Sequence, residues 1–296
     1  MIPCPGHMWD GSQSSFTGPA LDLYRRLDAM FVRLADRIGA QDYAFPTMIS
    51  AKTLAKMNYF TSFPHAVTFA VALDRDEQNL ERFRADADRD AGAGRGITLT
   101  ATQPVHEVLT PAACYHFYPL FANRTLSAPA YLTTRASCHR RETHYEPLRR
   151  QWCFGMREIV VIGTAAEARA FAERAKHEVA TMLAALGLSA TPTVATDPFF
   201  KPERNPLAIM QRLDPVKTEF VFGGDLAVAS VNLHHDHFGG TFGIARDGKP
   251  AHTACLAFGI ERWVHMICAQ YGNNPADWPL ADVETPPVRK RERVDA

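Results

Sequence analysis

The segment 138–163 limits the fold most strongly, because it predicts two strands joined by a basic loop. Arg140 and Glu142 are two residues apart and therefore share one face of the first strand. Phe154 and Glu158 are four residues apart and share one face of the second strand. The hairpin thus combines an arginine, which can bind an oxyanion through two N–H groups, with two carboxylates and an aromatic ring. An ordinary hairpin with surface ion pairs is the alternative.

A helix is predicted directly after the second strand. The β-branched run at 157–163 is followed by Thr164, and Glu167 comes three residues later, which is the capping-box pattern. Apolar residues at three- and four-residue spacing then mark one helical face, and Gly187 is a natural stop. The residues of that face are Phe171, Ala175, Val179, Met182 and Leu186.

The other predicted elements define the fold class. Strands are predicted at 67–73, 219–223, 226–233 and 240–245, and helices at 18–38, about 74–90 and about 259–271. Short connections after residue 219 favour an antiparallel sheet, and the separation of strand runs from helix runs favours an α+β fold. We expect one large domain over residues 1–280 with a helical insertion around 165–215, and a disordered tail over 281–296.

The charge balance and the apolar pattern limit the partners and the location. Lys and Arg total 32, as do Asp and Glu, whereas proteins that bind nucleic acid through its phosphates usually carry a basic excess. The basic run at 289–293 lies in the polar tail. No apolar run approaches the roughly 20 residues that span a bilayer, and no signal peptide is evident. We expect a cytoplasmic protein without a membrane partner, and six cysteines are too few for a disulfide scaffold.

Three segments resemble the signature motifs of class II aminoacyl-tRNA synthetases. The Arg-x-Glu, loop, Phe and later Glu of the hairpin resemble motif 2. FGIERW at 258–263 resembles motif 3, with Gly259 one position away from its commonest place. The helix at 18–38, followed by AFP with Pro46, resembles motif 1, which builds the dimer interface in that class. The resemblance implies a class II synthetase-like catalytic domain, an antiparallel sheet flanked by helices, that forms a homodimer.

The same resemblance implies how ATP is bound. Arg140 would hold the α-phosphate and the substrate carboxylate, and Glu142 would accept a hydrogen bond from the adenine amine. Phe154 would stack on the adenine ring, and Arg262 would bind the γ-phosphate. Mg²⁺ would accompany the nucleotide, but the acidic ligand usual in the strand before motif 3 is not evident in LAVASVN at 226–232.

A metal site is also implied by the resemblance. In archaeal-type seryl-tRNA synthetases and the related amino acid:carrier-protein ligases, two cysteines and the motif 2 glutamate hold one zinc ion, and the corresponding residues here are Cys114, Glu158 and Cys255. Two thiolates and a carboxylate suit Zn²⁺, and three protein ligands leave a position for the substrate amine. Cysteines that serve only as small buried apolar residues are the alternative.

The segment SVNLHHDHFGG at 230–240 offers a rival metal site. Its candidate ligands are His234, His235, Asp236 and His237. The segment also resembles the strand before motif 3 in the seryl family, where Asn232 would reach the amino-acid pocket. Glu219 lies in a Lys-x-Glu pattern with Lys217, as in the carrier-protein ligases, and is a second candidate for amino-acid binding.

The resemblance is strongest to the amino acid:carrier-protein ligases and covers about residues 20–272. It rests on DPFF at 197–200, NLHHDHFG at 232–239 and AHTACLAFGIERW at 251–263. It implies that ATP activates a small amino acid, such as glycine or alanine, to an aminoacyl-adenylate. The acyl group then passes to the phosphopantetheine thiol of a small acidic carrier protein.

Two other functions stay open from the sequence. One is a seryl-type enzyme that charges tRNA, which the zero net charge and the early start of the motif 1 region disfavour. The other is a non-catalytic synthetase-like regulatory or assembly protein, which the presence of Arg140, Glu142, Phe154 and Arg262 disfavours. Arg149 and Arg150 in the motif 2 loop are candidates for docking the carrier protein, with a solvated surface as the alternative.

Overall fold

The computed structural model describes residues 4–93, 96–205, 208, 209, 211 and 216–279. Within these residues, seven strands form the central sheet: β1 Gln41–Tyr43, β2 Ala130–His139, β3 Cys153–Gly163, β4 Thr191–Val194, β5 Lys217–Phe222, β6 Leu226–His235 and β7 His252–Gly259. Their order is β1-β2-β3-β7-β6-β5-β4. Only the β1–β2 pair is parallel among these, so the sheet is almost entirely antiparallel, as predicted.

The long helices are α1 Gly18–Ile38, α2 Glu77–Gly92, α3 Ala165–Ala185 and, after the six-residue helix α4 His237–Phe242, α5 Ile260–Tyr271. Shorter helical segments are Ala51–Lys56, Tyr59–Ser62, Pro64–Ala66, Ala113–His116, Phe117–Leu120 and Pro275–Asp277. Small ladders join His7–Trp9 to Ser14–Phe16, Met48–Ser50 to Glu107–Leu109, and Ala245–Arg246 to Thr125–Leu126 and Lys249–Pro250. No described helix combines the length and the apolarity needed to cross a membrane.

Sequence signals account for the ends of two long helices. The α1 helix ends at Gly39, whose φ of 84° suits glycine and allows its N–H to bond back to the last turn. Thr164 accepts a hydrogen bond from the backbone of Glu167, and the Glu167 side chain accepts one from Thr164 N–H, so the predicted capping box is confirmed. The predicted helix at 18–38 is likewise confirmed at its bounds.

Different elements cover the two faces of the sheet, and the cavity lies on the face that the shorter segments cover. One face packs against α1, α3 and α5 in a large apolar core. Alternation along β3 sends Ile159 and Val161 into that core, and Val160 and Ile162 to the opposite face. Shorter segments around Phe117 and α4 cover this second face, where a cavity is left.

Two predicted strands are wrong. Residues 67–73 make only isolated bridges, through Phe69 to Val108 and Leu73 to Thr102, and form no continuous strand. Residues 240–242 lie in α4, and residue 245 begins the two-residue strand Ala245–Arg246. Helix α4 packs closely against the backbone of Ala251: a Cβ on Gly239 would lie 1.9 Å from the Ala251 carbonyl oxygen, so only glycine fits at position 239. The third antiparallel strand of the group is β7 instead. The predicted tail at 281–296 lies outside the described residues.

Candidate functional site

One cavity of about 500 Å³ is lined by residues of β3, β5, β6 and β7 and of the loop that follows β2. Its lining includes all nine residues that the sequence singled out, namely Cys114, Arg140, Glu142, Phe154, Glu158, Glu219, Asn232, Cys255 and Arg262. They come from parts of the chain as far apart as residues 114 and 262, so the fold, and not local sequence, brings them together. The other four cysteines, Cys4, Cys138, Cys153 and Cys268, do not line this cavity.

Cys114, Glu158 and Cys255 form a cluster at one end of the cavity. The two Sγ atoms and a carboxylate oxygen of Glu158 all lie within 4.8 Å of one another, and all three residues are buried. Cys114 comes from the turn Ala113–His116, and its backbone N–H donates to Glu158 Oε1 at 3.1 Å. Glu158 and Cys255 lie on the neighbouring strands β3 and β7.

The donor set and its spacing fit a zinc ion. With Zn–S bonds of ~2.3 Å and tetrahedral angles, ligand atoms lie roughly 3–4 Å apart, which agrees with the cluster. Burying thiolates and a carboxylate together is unfavourable unless a cation neutralises them. Within the described part of the chain, this is the single group of three or more such ligands close enough to share an ion.

The acidities of the cluster reflect its burial. Burial raises the pKa of the Cys114 thiol well above its ordinary value, whereas the hydrogen bond from Cys114 holds the pKa of Cys255 well below its ordinary value. Burial, with the nearby charge of Cys255, raises the pKa of Glu158 to about 8. The cluster therefore holds protons at neutral pH that a bound metal would displace, because metal ligands must be deprotonated.

The rival histidine site is not assembled in the described residues. His234 turns towards Cys255, with Nε2 at 3.6 Å from Sγ, and its Nδ1 lies 3.0 Å from Thr253 Oγ1. His235 has a left-handed φ of 50° at the end of β6, and His237 begins α4, so the side chains diverge. The histidines consequently do not converge on one point.

Two arginines from different elements line the cavity. Arg140 follows β2, donates from Nε to the carbonyl of Pro111 at 2.9 Å and lies over the ring of Phe154. Arg262, in the first turn of α5, donates to the carbonyls of Arg149 and Ala227 at 2.9 and 2.8 Å. Backbone carbonyls therefore hold both guanidinium groups in place without neutralising their charge.

The two guanidinium groups place positive charge in this part of the cavity. Burial, together with the charges of Arg140 and Arg150, lowers the pKa of Arg262 to about 10, so Arg262 is still ionised at neutral pH. A polyphosphate between these guanidinium groups would relieve their mutual repulsion and receive charge-assisted hydrogen bonds.

Acidic side chains pair with some of the nearby cations. Glu142 accepts from Arg150 at 3.0 Å, and Arg149 bonds to Glu146 and to Asp225. Both arginines proposed for carrier docking are thus engaged in ion pairs.

Glu219 and Asn232 lie on β5 and β6. The Lys217 ammonium contacts Glu219 at 2.9 Å and Asp197 at 2.8 Å, and Asn232 Nδ2 donates to Cys255 Sγ at 3.4 Å. Asp197, His234 and Glu261 also line the cavity. The sequence had offered His234 as a ligand of the rival metal site and had given Asp197 and Glu261 no individual role. Asp197 belongs to the DPFF string, and His234 shares the face of Asn232 by strand alternation, so both carried a usable signal.

Comparison with known proteins identifies the relatives. No family profile matches the chain. It is 33% identical over 283 residues to amino acid–(acyl-carrier-protein) ligase 1 of Bradyrhizobium diazoefficiens, covering 91% of this chain and 83% of that protein. It is 35% identical over 249 residues to ligase 2 of the same organism, covering 80% and 72%. A type-2 serine–tRNA ligase of Methanopyrus kandleri is 25% identical over 89% of this chain, which spans only 54% of that enzyme.

Solved structures give the same fold. The M. kandleri SerRS, in its complex with A. aeolicus tRNASec, superposes with a TM-score of 0.77 at 23% identity, covering 93% of this chain and 57% of that one. A prolyl-tRNA synthetase of Cryptosporidium parvum superposes with a TM-score of 0.66 at 15% identity, covering 90% and 50%.

The fold and the cavity define the class, which is the catalytic-domain fold of class II aminoacyl-tRNA synthetases. Within that class, the chain belongs to the family of amino acid–(acyl-carrier-protein) ligases.

Proposed function

We propose that this ligase uses ATP to activate a small amino acid as an aminoacyl-adenylate and transfers the aminoacyl group to the phosphopantetheine thiol of a carrier protein. The observation that carries the proposal is one cavity that is lined by two half-buried arginines and by a buried Cys–Glu–Cys cluster. Family membership supports a carrier protein as the acceptor, since both B. diazoefficiens relatives bear that name.

Activation needs positive charge more than acid–base catalysis. The substrate carboxylate is already ionised, and its attack on the α-phosphorus builds negative charge on the phosphate oxygens. We assign Arg140 to the α-phosphate and the carboxylate, and Arg262 to the γ-phosphate. Phe154 would stack on the adenine ring, and Glu142, which Arg150 holds in place, would accept a hydrogen bond from the adenine amine. Mg²⁺ would share the charge of the phosphates.

The cluster end of the cavity would select the substrate by its amine. Cys114, Glu158 and Cys255 would hold a zinc ion whose open position binds a free α-amine. Asn232 and Glu219 lie on the adjacent strands and would contact the rest of the amino acid. The cavity would thus bind both charged groups of an α-amino acid, with the carboxylate towards Arg140 and the amine towards the cysteines.

Transfer completes the reaction. The thiolate sulfur of the pantetheine arm attacks the carbonyl carbon of the adenylate, a thioester bond forms, and AMP leaves with the electrons of the cleaved acyl–phosphate bond. We also propose that the enzyme is a cytoplasmic homodimer, in line with the motif 1 resemblance of α1 and Pro46.

The first test is amino-acid-dependent exchange of pyrophosphate into ATP. We expect exchange with glycine or alanine and far less with large amino acids. Absence of exchange with every amino acid would refute the enzymatic proposal and favour a non-catalytic role.

The second test identifies the acceptor. Radiolabelled amino acid and ATP are supplied together with total tRNA and a phosphopantetheinylated carrier protein. Label on the carrier protein is expected. Label on tRNA alone would favour the second candidate, a seryl-type tRNA ligase, which the 25% identity to type-2 serine–tRNA ligases keeps open.

A further inference from the structure

Two side chains of β6 point donors at the sulfur of Cys255. Asn232 Nδ2 lies 3.4 Å and His234 Nε2 lies 3.6 Å from Cys255 Sγ. The two residues are two positions apart on one strand and so share a face. In the antiparallel pair with β7, Asn232 lies directly opposite Cys255, which brings both donors within reach of the same thiol.

The second ring nitrogen of His234 is also engaged. Its Nδ1 lies 3.0 Å from the hydroxyl of Thr253, a fully buried residue two positions before Cys255 on β7. When Cys255 is a thiolate, which can only accept, a neutral imidazole satisfies both contacts in one tautomer, with the Thr253 hydroxyl donating to Nδ1 and Nε2–H donating to sulfur. The pair Thr253 and Cys255 thus faces the pair Asn232 and His234 across the two strands.

Packing holds the imidazole in this orientation. The ring of His234 meets the edge of Phe238 at 5.0 Å between centroids, and Phe238 stacks on Tyr118 at 3.8 Å. The imidazole lies near the metal-ligand cluster without belonging to it, since the three mutually close ligand atoms are those of Cys114, Glu158 and Cys255. His234 is therefore placed to contact a metal ligand, Cys255, without being a ligand itself.

We propose that His234 is a positioning residue that donates from Nε2–H to the Cys255 thiolate and thereby raises the affinity of the Cys114–Glu158–Cys255 site for zinc, with Thr253 fixing the tautomer. The inference rests on the zinc site of the proposed function. A hydrogen bond to the thiolate restricts its rotamer and stabilises its charge, and residues that support metal ligands in this way typically change metal affinity by about 10- to 100-fold.

The test measures the zinc dissociation constant of the full chain by competition with a chromophoric chelator. His234→Ala removes the ring, and His234→Phe keeps a ring without donors. His234→Gln restores an N–H donor near the place of Nε2. His177→Ala, which removes an exposed imidazole from α3, is the control, and circular dichroism verifies that each variant is folded.

We expect His234→Ala and His234→Phe to weaken zinc binding by about 10- to 100-fold, with His234→Gln and His177→Ala staying within about threefold of the unmodified chain. Thr253→Val, which keeps shape and loses the hydroxyl, should weaken binding in the same direction, and Thr253→Ser should restore it. In the cobalt-substituted protein, the thiolate-to-metal absorption band should shift in His234→Phe and not in His177→Ala.

Several results would overturn the inference. Normal zinc affinity in His234→Phe would mean that the ring only packs, and loss in His234→Gln equal to that in His234→Ala would mean that donation to sulfur is not the role. If the unmodified chain itself binds no zinc, the zinc site of the proposed function fails and this inference fails with it. If the unmodified chain binds zinc and the His234 variants bind it equally tightly, this inference is wrong and the zinc site of the proposed function still holds.

Discussion

The guanidinium carbon of Arg140 lies 5.5 Å from the centre of the Phe154 ring, so the first residue after β2 faces the second residue of β3 across the hairpin. The bond from Arg140 Nε to Pro111 fixes the plane of the guanidinium. The aromatic ring that would stack on adenine and the cation that would bind phosphate therefore support one another before substrate arrives.

Arg140→Lys should lower the rate of amino-acid-dependent ATP–pyrophosphate exchange by about 100-fold. A lysine keeps the charge but loses the planar fork that contacts two oxygens at once, and loss of one donor to a developing oxyanion costs about 10²- to 10³-fold in rate. The control is Arg141→Lys, because Arg141 is exposed and lies over Trp152, outside the cavity lining. Equal rates for the two variants would contradict the assignment of Arg140.

Cys114→Ser should lower the zinc content from about one ion per chain to a small fraction, because a three-ligand site loses a thiolate. Cys138→Ser is the matched control, since Cys138 is equally buried but lies outside the cluster. Atomic absorption on dialysed protein makes the measurement. Full zinc content in a Cys114→Ser, Cys255→Ser double variant would show that the metal is held elsewhere.

The local elements of the site were predictable because short-range patterns specify them. Strand alternation accounts for Phe154 and Glu158, which lie on β3, and the capping box at Thr164 accounts for α3. The prediction that Arg140 and Glu142 share a strand face is wrong, because β2 ends at His139 and both residues lie in the loop after it. The error at 240–245 came from reading apolar residues as a strand, although β6 ends at His235 with a left-handed turn. A single residue with a left-handed backbone does not change the spacing of apolar residues, so hydrophobic periodicity does not reveal where β6 ends.

The metal cluster was not predictable from spacing. Cys114 and Cys255 are far apart in the sequence, and sheet pairing, which no local pattern encodes, brings Cys255 beside Glu158. The family resemblance supplied the triad, and the roles of its members stay predictions. His234 was grouped with its neighbours by composition, whereas the structure separates it from them through the opposite orientation of successive strand residues.

Glu261→Gln should reduce the pH dependence of stability. Burial raises the pKa of Glu261 from 4.5 to about 7, although both carboxylate oxygens accept from Gly155 N–H. The folded state therefore keeps a proton that the unfolded state releases above about pH 4.5, so stability falls as pH rises from about 4.5 to 7. Over this pH range, ionisation of Glu261 should lower the free energy of unfolding by about 3 kcal/mol, and the glutamine variant should not show this decrease.

Urea unfolding at pH 5 and pH 8 measures this difference in the free energy of unfolding. The exposed Glu81 of α2 supplies the control variant, Glu81→Gln, which should keep the pH dependence of the unmodified chain. If Glu261→Gln loses as much stability as the unmodified chain between the two pH values, Glu261 is ionised throughout and the prediction is wrong.

Arg157→Met should destabilise the fold by about 3–5 kcal/mol, because it removes both hydrogen bonds to the partly buried Asp28 carboxylate, which then has Arg135 at 4.0 Å. Arg157 is nearly buried on β3 and bonds to both oxygens of Asp28 on α1, at 2.8 and 3.1 Å, and to Asp42 on β1 at 2.9 Å. These contacts connect the motif 1 region to the hairpin that carries the site.

The matched comparison for Arg157 is Arg26→Met on α1. Arg26 pairs with Asp22 at 2.7 Å, but both side chains are partly solvated, so its loss should cost about 0.5 kcal/mol or less. Urea unfolding of both variants measures the two costs. Because the Arg157 contacts lie beneath the hairpin and not in the cavity, ATP–pyrophosphate exchange by the fraction that is still folded should persist in Arg157→Met. Similar destabilisation by the two substitutions would mean that burial of the Arg157 pair contributes nothing.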